Sequence, residues 1–343
     1  MMLRCHALRA RLVFGGLLTM LALAASSDAR ADDVLKAKVG VLRLSSSAPM
    51  FIAQDKGYFR EAGLDIELKF FDAAQPIAVA TTSGDVDFGI TAFTAGLYNL
   101  AGKGTLKVIG GMSREKPGYP LIGYFASNNA YAAGLKTPKD LAGKRVAVTQ
   151  VGSSFHYSLG LLADKYGFKL SDVKVLPLQS LSNAAAALKG ETVDAALLPV
   201  STARTLMDAG GAKLLGWVGD ETPWQLGAVF ASTRTLADKP LVTKLLSALT
   251  RADREYHDAI LASVADGKAP INDKTKPLLE IIAKYTNLPV EQVVGNCAYI
   301  DPDGKLDVRN VGNQISWLQE QGFVDKGFDV DAIIAKDYVK PDW

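Results

Sequence analysis

Apolar runs alternate with polar breaks from residue 38 onward, in the order expected of strand and helix units. Short apolar runs at residues 38–44, 66–71 and 86–90 predict strands. Helices are predicted from Pro49 to the glycine-bounded stop at residues 57–63, and again at residues 77–82. A β-α-β-α-β order predicts a parallel, doubly wound sheet with helices on its faces.

The same plan follows a second time further along the chain. Strands are predicted at residues 145–148, 173–176 and 193–198, with helices at residues 155–166 and 183–189 between them. After Trp224 the pattern predicts one more strand and then helices, at residues 240–257, 276–285, 289–294, 311–322 and 330–337. The chain therefore holds two similar α/β units followed by a helical region.

Three pairs of segments indicate an imperfect internal duplication with an offset of roughly a hundred residues, a repeat long enough for each copy to bury its own core. The pairs are residues 53–68 with 161–175, residues 84–90 with 190–197, and residues 121–127 with 226–232. We therefore expect an α/β fold of two doubly wound lobes joined by two crossovers. Two such lobes form a cleft, and a cleft favours ligand binding.

The first residues have the three parts of an export signal. Arginines precede an apolar run at residues 12–25, which is too short to span a membrane, and Ala29-Arg30-Ala31 has the small residues of a cleavage site. We expect residues 1–31 to be a signal peptide and the mature protein to be periplasmic. A retained anchor helix is the alternative. Cys5 precedes the apolar run, which disfavours a lipoprotein anchor.

Charge and cysteine content narrow the possible partners. Without residues 1–31 the chain keeps 34 basic and 35 acidic residues, so nucleic acid and anionic membranes are not expected partners. Cys297 is then the only cysteine, which cannot form an internal disulfide. The remaining 312 residues are enough for two packed lobes stabilised by their cores.

Several segments, in this order, resemble the substrate-binding proteins of ABC importers in the sulfonate, taurine, nitrate and thiamine-precursor class. They are residues 45–49, 56–59, 63–68, 84–89, 140–148, 152–157 and 190–196. The resemblance covers nearly the whole mature chain. One departure concerns Pro199, which follows Leu197-Leu198 where many relatives have a tryptophan and an acid.

The resemblance implies a type II periplasmic binding protein, whose lobes close on a small molecule that is then delivered to a membrane permease and its ATPase. We expect lobe I at residues 32–120 plus 224–343 and lobe II at residues 121–223, with crossovers at residues 118–120 and 222–224. The protein is expected to be a monomer. A periplasmic sensor that signals instead of transporting is also compatible with this fold.

Hydroxyl-rich loops at the carboxyl ends of strands are the main candidates for ligand binding, because ligands of doubly wound sheets lie there, beside helix N-termini. The candidates are Ser45, Ser46, Ser47, Thr91, Gly152, Ser153, Ser154 and Pro199, and the family pattern supports the two serine loops among them. The alternative for the serines is a helix-capping role.

Other candidates are charged or aromatic. Arg43 at the end of a buried-type strand could clamp a carboxylate or sulfonate, or it could form an internal ion pair. His156 could donate a hydrogen bond to a ligand or simply belong to a helix start. Aromatic residues could line an apolar pocket or belong to the core, and these are Phe93, Tyr119, Phe155 and Trp224.

Catalytic and metal-binding patterns are missing from the sequence. It has no G-x-S-x-G, H-E-x-x-H, G-x-G-x-x-G or P-loop motif, and no cysteine and histidine spacing for a metal. We expect no cofactor and no enzymatic activity. The predicted ligand is a small organic anion, either a sulfonate or an aromatic or aliphatic carboxylate. The alternatives are a neutral heterocycle such as a thiamine-type pyrimidine, or an enzyme resembling the thiamine-pyrimidine synthases.

Overall fold

The structure is a computed structural model that describes residues 34–342. The predicted signal peptide, residues 1–31, lies outside the described residues. The strands, in chain order, are β1 Leu35–Leu42, β2 Leu64–Phe71, β3 Phe88–Ala92, β4 Leu106–Gly111, β5 Ser113–Glu115, β6 Ile122–Ala126, β7 Arg145–Val148, β8 Lys174–Pro177, β9 Ala195–Pro199, β10 Lys213–Trp217, β11 Trp224–Gln225, β12 Gly227–Ser232, β13 Tyr299–Ile300, β14 Leu306–Asp307 and β15 Pro341–Asp342.

The helices follow most of the predicted segments. In chain order they are α1 Ala48–Asp55, α2 Tyr58–Glu61, α3 Ala74–Ser83, α4 Ala95–Gly102, α5 Asn128–Ala132, α6 Ser154–Tyr166, α7 Leu181–Lys189, α8 Val200–Asp208, α9 Val218–Glu221, α10 Lys239–Ala259, α11 Lys276–Thr286, α12 Val290–Val293, α13 Val308–Glu320 and α14 Val330–Ile333. Pro49 lies in the first turn of α1, where its missing N–H costs no hydrogen bond. Gly84 and Gly167 end α3 and α6 with left-handed backbones.

Two five-stranded sheets organise the described chain. The first has the strand order β2-β1-β3-β12-β4, and the second has the order β8-β7-β9-β6-β10. The predicted parallel units are confirmed, since β1 runs parallel to β2 and β3, and β7 runs parallel to β8 and β9. Both sheets are nevertheless mixed, because β12 and β6 pair in antiparallel fashion with β3 and β9.

The duplication read from the sequence is also a duplication of topology. β12 takes the place in the first sheet that β6 takes in the second, and these strands contain the matched segments 226–232 and 121–127. The likeness extends to single hydrogen bonds. The Lys38 N–H donates to Asp87 Oδ2 at 2.8 Å, and the Arg145 N–H donates to Asp194 Oδ2 at 2.8 Å. Each aspartate precedes the third strand of its unit and ties it to the first.

The chain crosses between the two sheets twice, and the two connecting segments pair with each other. β5 lies on the first segment and β11 on the second, and they form an antiparallel ladder with Trp224 opposite Glu115. Gln225 is buried there, and its Nε2 donates to the Gly227 carbonyl at 2.8 Å. Gln314 of α13 donates to the Gln225 carbonyl at 2.8 Å. The predicted pair of crossovers is therefore present and held by buried amides.

Buried apolar side chains form cores on both sides of each sheet. Phe51, Phe88 and Tyr256 belong to the core between the first sheet and α1, α10 and α11. Tyr124 and Leu159 belong to the core between the second sheet and α6. No helix between residues 34 and 342 is long and apolar enough to cross a membrane.

Candidate functional site

A small cavity lies between the two sheets at the carboxyl ends of their parallel strands. Its volume is about 50 Å³ for the centres of water-sized groups. A space of this size for group centres alone holds several water-sized groups. The lining residues are Leu42, Leu44, Ser46, Ser47, Ala73, Ala74, Ile90, Thr91, Ala92, Met112, Ser113, Leu121, Ile122, Thr149, Ser154, Phe155, Leu181, Pro199, Leu226 and Gly227.

The N-terminal ends of helices packed on both sheets converge on this cavity. The lining includes the first residues of α3, α6 and α7, which are Ala74, Ser154 and Leu181. Ser47 and Pro199 directly precede α1 and α8 and also line the cavity. The first N–H groups of a helix have no intrahelical partner, and the N-terminal end of the helix dipole is positive. The arrangement therefore directs several positive dipole ends and hydrogen-bond donors toward one small volume.

Hydroxyl groups are the only polar side chains in the lining. They belong to Ser46, Ser47, Thr91, Ser113, Thr149 and Ser154. Ser47 precedes α1 without making a side-chain capping bond, which leaves its hydroxyl available. Thr91 is 7% exposed, and its Oγ1 has no hydrogen-bond partner among the described residues. A buried hydroxyl without a partner is costly, so the Thr91 hydroxyl is a candidate hydrogen-bond donor to a ligand in the cavity.

Charged side chains are absent from this lining. Within residues 34–342, no group of three or more His, Cys, Asp or Glu side chains is placed to hold a metal ion. The remaining lining surface is apolar. The cavity can thus accept hydrogen-bond acceptors and apolar groups, and it offers no counter-charge of either sign from a side chain.

The three candidate residues of the loop before α6, Gly152 to Ser154, have different roles. Ser154 lines the cavity, whereas Ser153 caps α6 by accepting a hydrogen bond from the His156 N–H. The Gly152 N–H donates to His156 Nδ1 at 3.0 Å, so the imidazole is neutral with its proton on Nε2. Burial lowers the pKa of His156, and its ring lies 5.1 Å from that of Phe323. Neither Gly152 nor His156 lines the cavity.

Arg43 does not reach the cavity. The sequence interpretation assumed that its strand would bury it, but the side chain is exposed. Its guanidinium lies 3.6 Å from the centroid of the Phe70 ring and donates to the Tyr285 carbonyl at 3.2 Å. Ser45 is buried, begins a short 3-10 turn and is likewise outside the lining, whereas Ser46 and Ser47 belong to it.

The aromatic candidates fall mostly within packed cores. Phe93 stacks on Tyr98 with centroids 5.1 Å apart. Trp224 packs edge-on against Tyr157 at 4.9 Å, and its buried Nε1 has no partner among the described residues. Tyr119 packs against Tyr299 at 5.3 Å. Phe155 lines the cavity, and it is the aromatic ring available to a ligand there.

Close contacts join the two sides of the cleft outside the cavity. The Ala95 N–H, at the start of α4, donates to the Gly152 carbonyl at 2.8 Å. Gly152 has φ +74°, and a Cβ added there would lie 2.6 Å from the Cβ of Ala95. Trp317 of α13 packs against Tyr157 of α6 at 5.2 Å between ring centroids. The cleft is closed in this structure.

Sequence reasoning missed part of the lining. Thr149 directly follows β7, at the strand end where such folds place ligands, and that position alone could have identified it. Ala74 and Leu181 carry no polar side chain, so only their places at helix starts connect them with binding. Ser113 lies on β5, a short strand that the apolar pattern did not predict.

Comparisons with known proteins agree with this architecture. A family model described as NMT1/THI5 like matches residues 45–258, which is more than half of the chain. The taurine-binding periplasmic protein of Escherichia coli (strain K12) is 30% identical over 156 residues, covering 45% of this chain and 45% of that protein. The matched stretch therefore spans less than half the length of that relative.

Solved structures extend the likeness to almost the whole chain. The periplasmic aliphatic sulphonate binding protein of Escherichia coli superposes with a TM-score of 0.68 at 19% identity, covering 89% of this chain and 98% of that one. The alkanesulfonate-binding protein of Xanthomonas axonopodis pv. citri, bound to MOPS, gives a TM-score of 0.68 at 21% identity, covering 91% and 100%. The chain therefore belongs to the NMT1/THI5 like family and has the periplasmic binding protein fold, as the sequence resemblance predicted.

Proposed function

We propose that this protein captures a small organic anion between its lobes and delivers it to the permease and ATPase of an ABC importer. The observation that carries the proposal is the cavity itself. Helix starts from both sheets and six hydroxyl side chains surround it, and the Thr91 hydroxyl has no partner among the described residues. Backbone N–H groups, dipole ends and hydroxyls together bind anions without a charged side chain.

The transport role is supported by the relatives, whose names describe periplasmic binding of taurine and of sulphonates. By analogy we place the mature protein in the periplasm, as a monomer exported by the signal peptide at residues 1–31. Intact-mass measurement of the periplasmic protein should then give a first residue near Asp32. The gene should stand beside those of a permease and an ATPase, whereas a neighbouring sensor kinase would favour a signalling role.

We take the lobes to be residues 32–120 plus 224–343 and residues 121–223, closing about the paired crossovers. Both lobes contribute to the cavity lining, with Thr91 from the first and Ser154 from the second. A ligand held by both lobes binds the closed state better than the open state, and this difference in affinity shifts the population toward closure. Contacts such as the hydrogen bond from Ala95 to Gly152 add to the closed state without touching the ligand.

The two alternatives differ in what they require of the site. A neutral heterocycle would use the apolar lining and Phe155 and would gain little from the helix dipoles. An enzyme would need a reactive group at the cavity. Cys297 is buried outside the lining, and burial raises the pKa of its thiol to about 12, which leaves almost no thiolate at neutral pH.

A thermal-shift screen tests the proposal directly. The panel contains sulfonates, aliphatic and aromatic carboxylates, nitrate and pyrimidines. A ligand at a hundred times its dissociation constant stabilises the protein by about 2.7 kcal/mol, which raises the melting temperature measurably. We expect organic anions to raise it and neutral pyrimidines to leave it unchanged. Stabilisation by uncharged compounds alone would overturn the anion site and support the heterocycle.

A further inference from the structure

We propose that the ligand is a compact anion that carries no cationic group, and that the Thr91 hydroxyl is a specificity-determining donor to it. This inference rests on the proposed function, because it concerns the same cavity. It goes further by separating plain sulfonates and carboxylates from their amino derivatives, which carry an ammonium group as well as the anion.

The composition of the lining carries the first half of the inference. Six hydroxyl residues and fourteen apolar or glycine residues form it, and none is acidic. An ammonium group enclosed there would lose its hydration and would face no carboxylate. The converging helix starts would also repel it, because their dipole ends are positive. The same features that favour an anion therefore act against a zwitterion.

Acidic residues close to the lining in sequence do not change this conclusion. Asp72 precedes Ala73, but its side chain is exposed and outside the lining. Glu115 lies two residues after Ser113, is 2% exposed and also lies outside the lining. Burial raises the pKa of Glu115 well above its usual value, because it disfavours the charged form of the carboxyl group. Neither residue supplies a counter-charge to an ammonium group in the cavity.

The second half of the inference, a specific hydrogen-bond donor, rests on Thr91. It lies near the end of β3, between Ile90 and Ala92, and all three residues line the cavity. Its hydroxyl is buried and has no acceptor or donor among the described residues. Because an unmade hydrogen bond in a buried site is costly, a ligand oxygen that accepts from Thr91 removes that cost on binding.

The size of the cavity limits the ligand. With room for several water-sized groups between the two sheets, the enclosed space suits a short chain on a sulfonate or carboxylate rather than a long one. The matched probes are therefore propanesulfonate with taurine, and butyrate with β-alanine. Within each pair a terminal methyl group replaces an ammonium group of nearly the same size, so that only the charge differs.

Isothermal titration calorimetry of the four compounds tests the charge argument. We expect at least one methyl-terminated compound to bind, and its amino partner to bind at least about 100-fold more weakly, as an uncompensated buried charge requires. Equal or tighter binding of the amino partner overturns the inference but leaves the proposed anion-binding function standing. If none of the four binds and only neutral pyrimidines do, both the inference and the proposed function fail.

Thr91→Val tests the donor, because valine keeps the shape and removes the hydroxyl. We expect the affinity for the bound anion to fall about 10- to 100-fold, as for a lost hydrogen bond to a charged group. The unliganded variant should be at least as stable as the parent, since a buried hydroxyl without a partner has been removed. A loss of affinity without a loss of stability distinguishes a binding role of Thr91 from a structural one.

Thr81→Val is the matched control. Thr81 is also buried, but its hydroxyl donates to the Ile77 carbonyl at 2.9 Å and lies outside the cavity. We expect this variant to lose stability and to keep its affinity within about 2-fold, since no ligand contact changes. An unchanged affinity in Thr91→Val, or a loss of the same size in Thr81→Val, overturns the role of Thr91.

Discussion

Individual carboxyl groups of this protein are buried where no basic residue neutralises them. Asp253 on α10 is 2% exposed, and its Oδ1 has no hydrogen-bond partner among the described residues. Burial, together with the nearby Asp301 and Asp303, raises its pKa well above the usual range, and Lys340 opposes this only in part. The folded protein therefore holds a proton on Asp253 at a pH where the unfolded chain has released it.

This proton predicts a pH dependence of stability. Because the folded state binds more protons above the usual aspartate pKa, the free energy of unfolding should fall as the pH rises from about 4 toward the raised pKa. The slope should be at most about 1.4 kcal/mol for each pH unit. Urea unfolding of the parent and of Asp253→Asn between pH 4 and 7.5 measures it.

Asp253→Asn should remove this part of the pH dependence and should be the more stable protein at pH 7. Asp65→Asn on the exposed side of β2 is the control for the substitution itself and is measured over the same pH range. If Asp253→Asn and the parent keep a constant difference across the whole range, Asp253 does not hold a proton in the folded state.

Gly152 offers a test of the proposed closure that leaves the cavity lining unchanged. Its left-handed backbone and the 2.6 Å approach to Ala95 leave no room for a side chain. We expect Gly152→Ala to hold the lobes apart and to lower ligand affinity about 10-fold or more, since the closed state becomes less populated. Calorimetric titration of the variant measures this loss.

Gly143→Ala is the control for Gly152→Ala, because Gly143 has φ +77° and open space around its Cβ position. Both variants share the cost of a left-handed backbone for alanine, about 1 kcal/mol of stability. Only Gly152→Ala should lose affinity. Equal affinities in the two variants would show that the contact with Ala95 is irrelevant to closure.

Among the secondary-structure elements, α6 gives the sharpest test of the proposed binding role against a capping role. Ser153 caps the helix through the His156 N–H, and its neighbour Ser154 lines the cavity. We expect Ser153→Ala to lower the free energy of unfolding by about 1 kcal/mol, as for other lost N-caps. Ser154→Ala should weaken anion binding about 10-fold, as for a hydrogen bond to a charged group.

Chemical denaturation should therefore detect a loss in Ser153→Ala, and calorimetric titration should detect a loss in Ser154→Ala. Each variant is the control for the other, because they differ by one position in the same helix start. Should Ser154→Ala keep full affinity while Ser153→Ala loses it, the assignment of these roles would have to be reversed.

At the scale of the whole molecule, closure should be visible in solution. We expect a saturating ligand to reduce the radius of gyration in small-angle scattering and to change the tryptophan fluorescence, because hinged closure compacts the two lobes. Trp224 lies on a crossover, and Trp317 packs across the cleft on Tyr157. The chain has four tryptophans, and Trp224→Phe and Trp317→Phe show whether either of these two rings carries the fluorescence change.

A calorimetrically verified ligand that alters neither signal would contradict the hinged model. A change in fluorescence without a change in the radius of gyration would instead indicate a local rearrangement around the crossovers. The scattering measurement needs no variant, so it remains decisive even if either tryptophan substitution destabilises the protein.

The sequence by itself determined the alternation of strands and helices, the duplication and the loops that surround the site. The strand at residues 145–148 was predicted with the bounds that β7 has, because a strand between a glycine turn and a hydroxyl loop is a local pattern. β4 and β10 were not predicted, although each forms an edge of its sheet. β4 and β10 each contain glycine, which weakens the strand pattern, whereas the edge strands β2 and β8 contain none and were predicted.

Only the tertiary structure decided which of the candidates face the cavity between the two sheets. Ser153 and Ser154 are identical in type and adjacent in sequence, yet one caps α6 and the other lines the cavity. Arg43 was expected to be buried at a strand end, and it turns outward onto Phe70. Trp224 packs on Tyr157. A side chain's direction depends on backbone dihedrals and on neighbours distant in sequence, and neither can be read from local patterns.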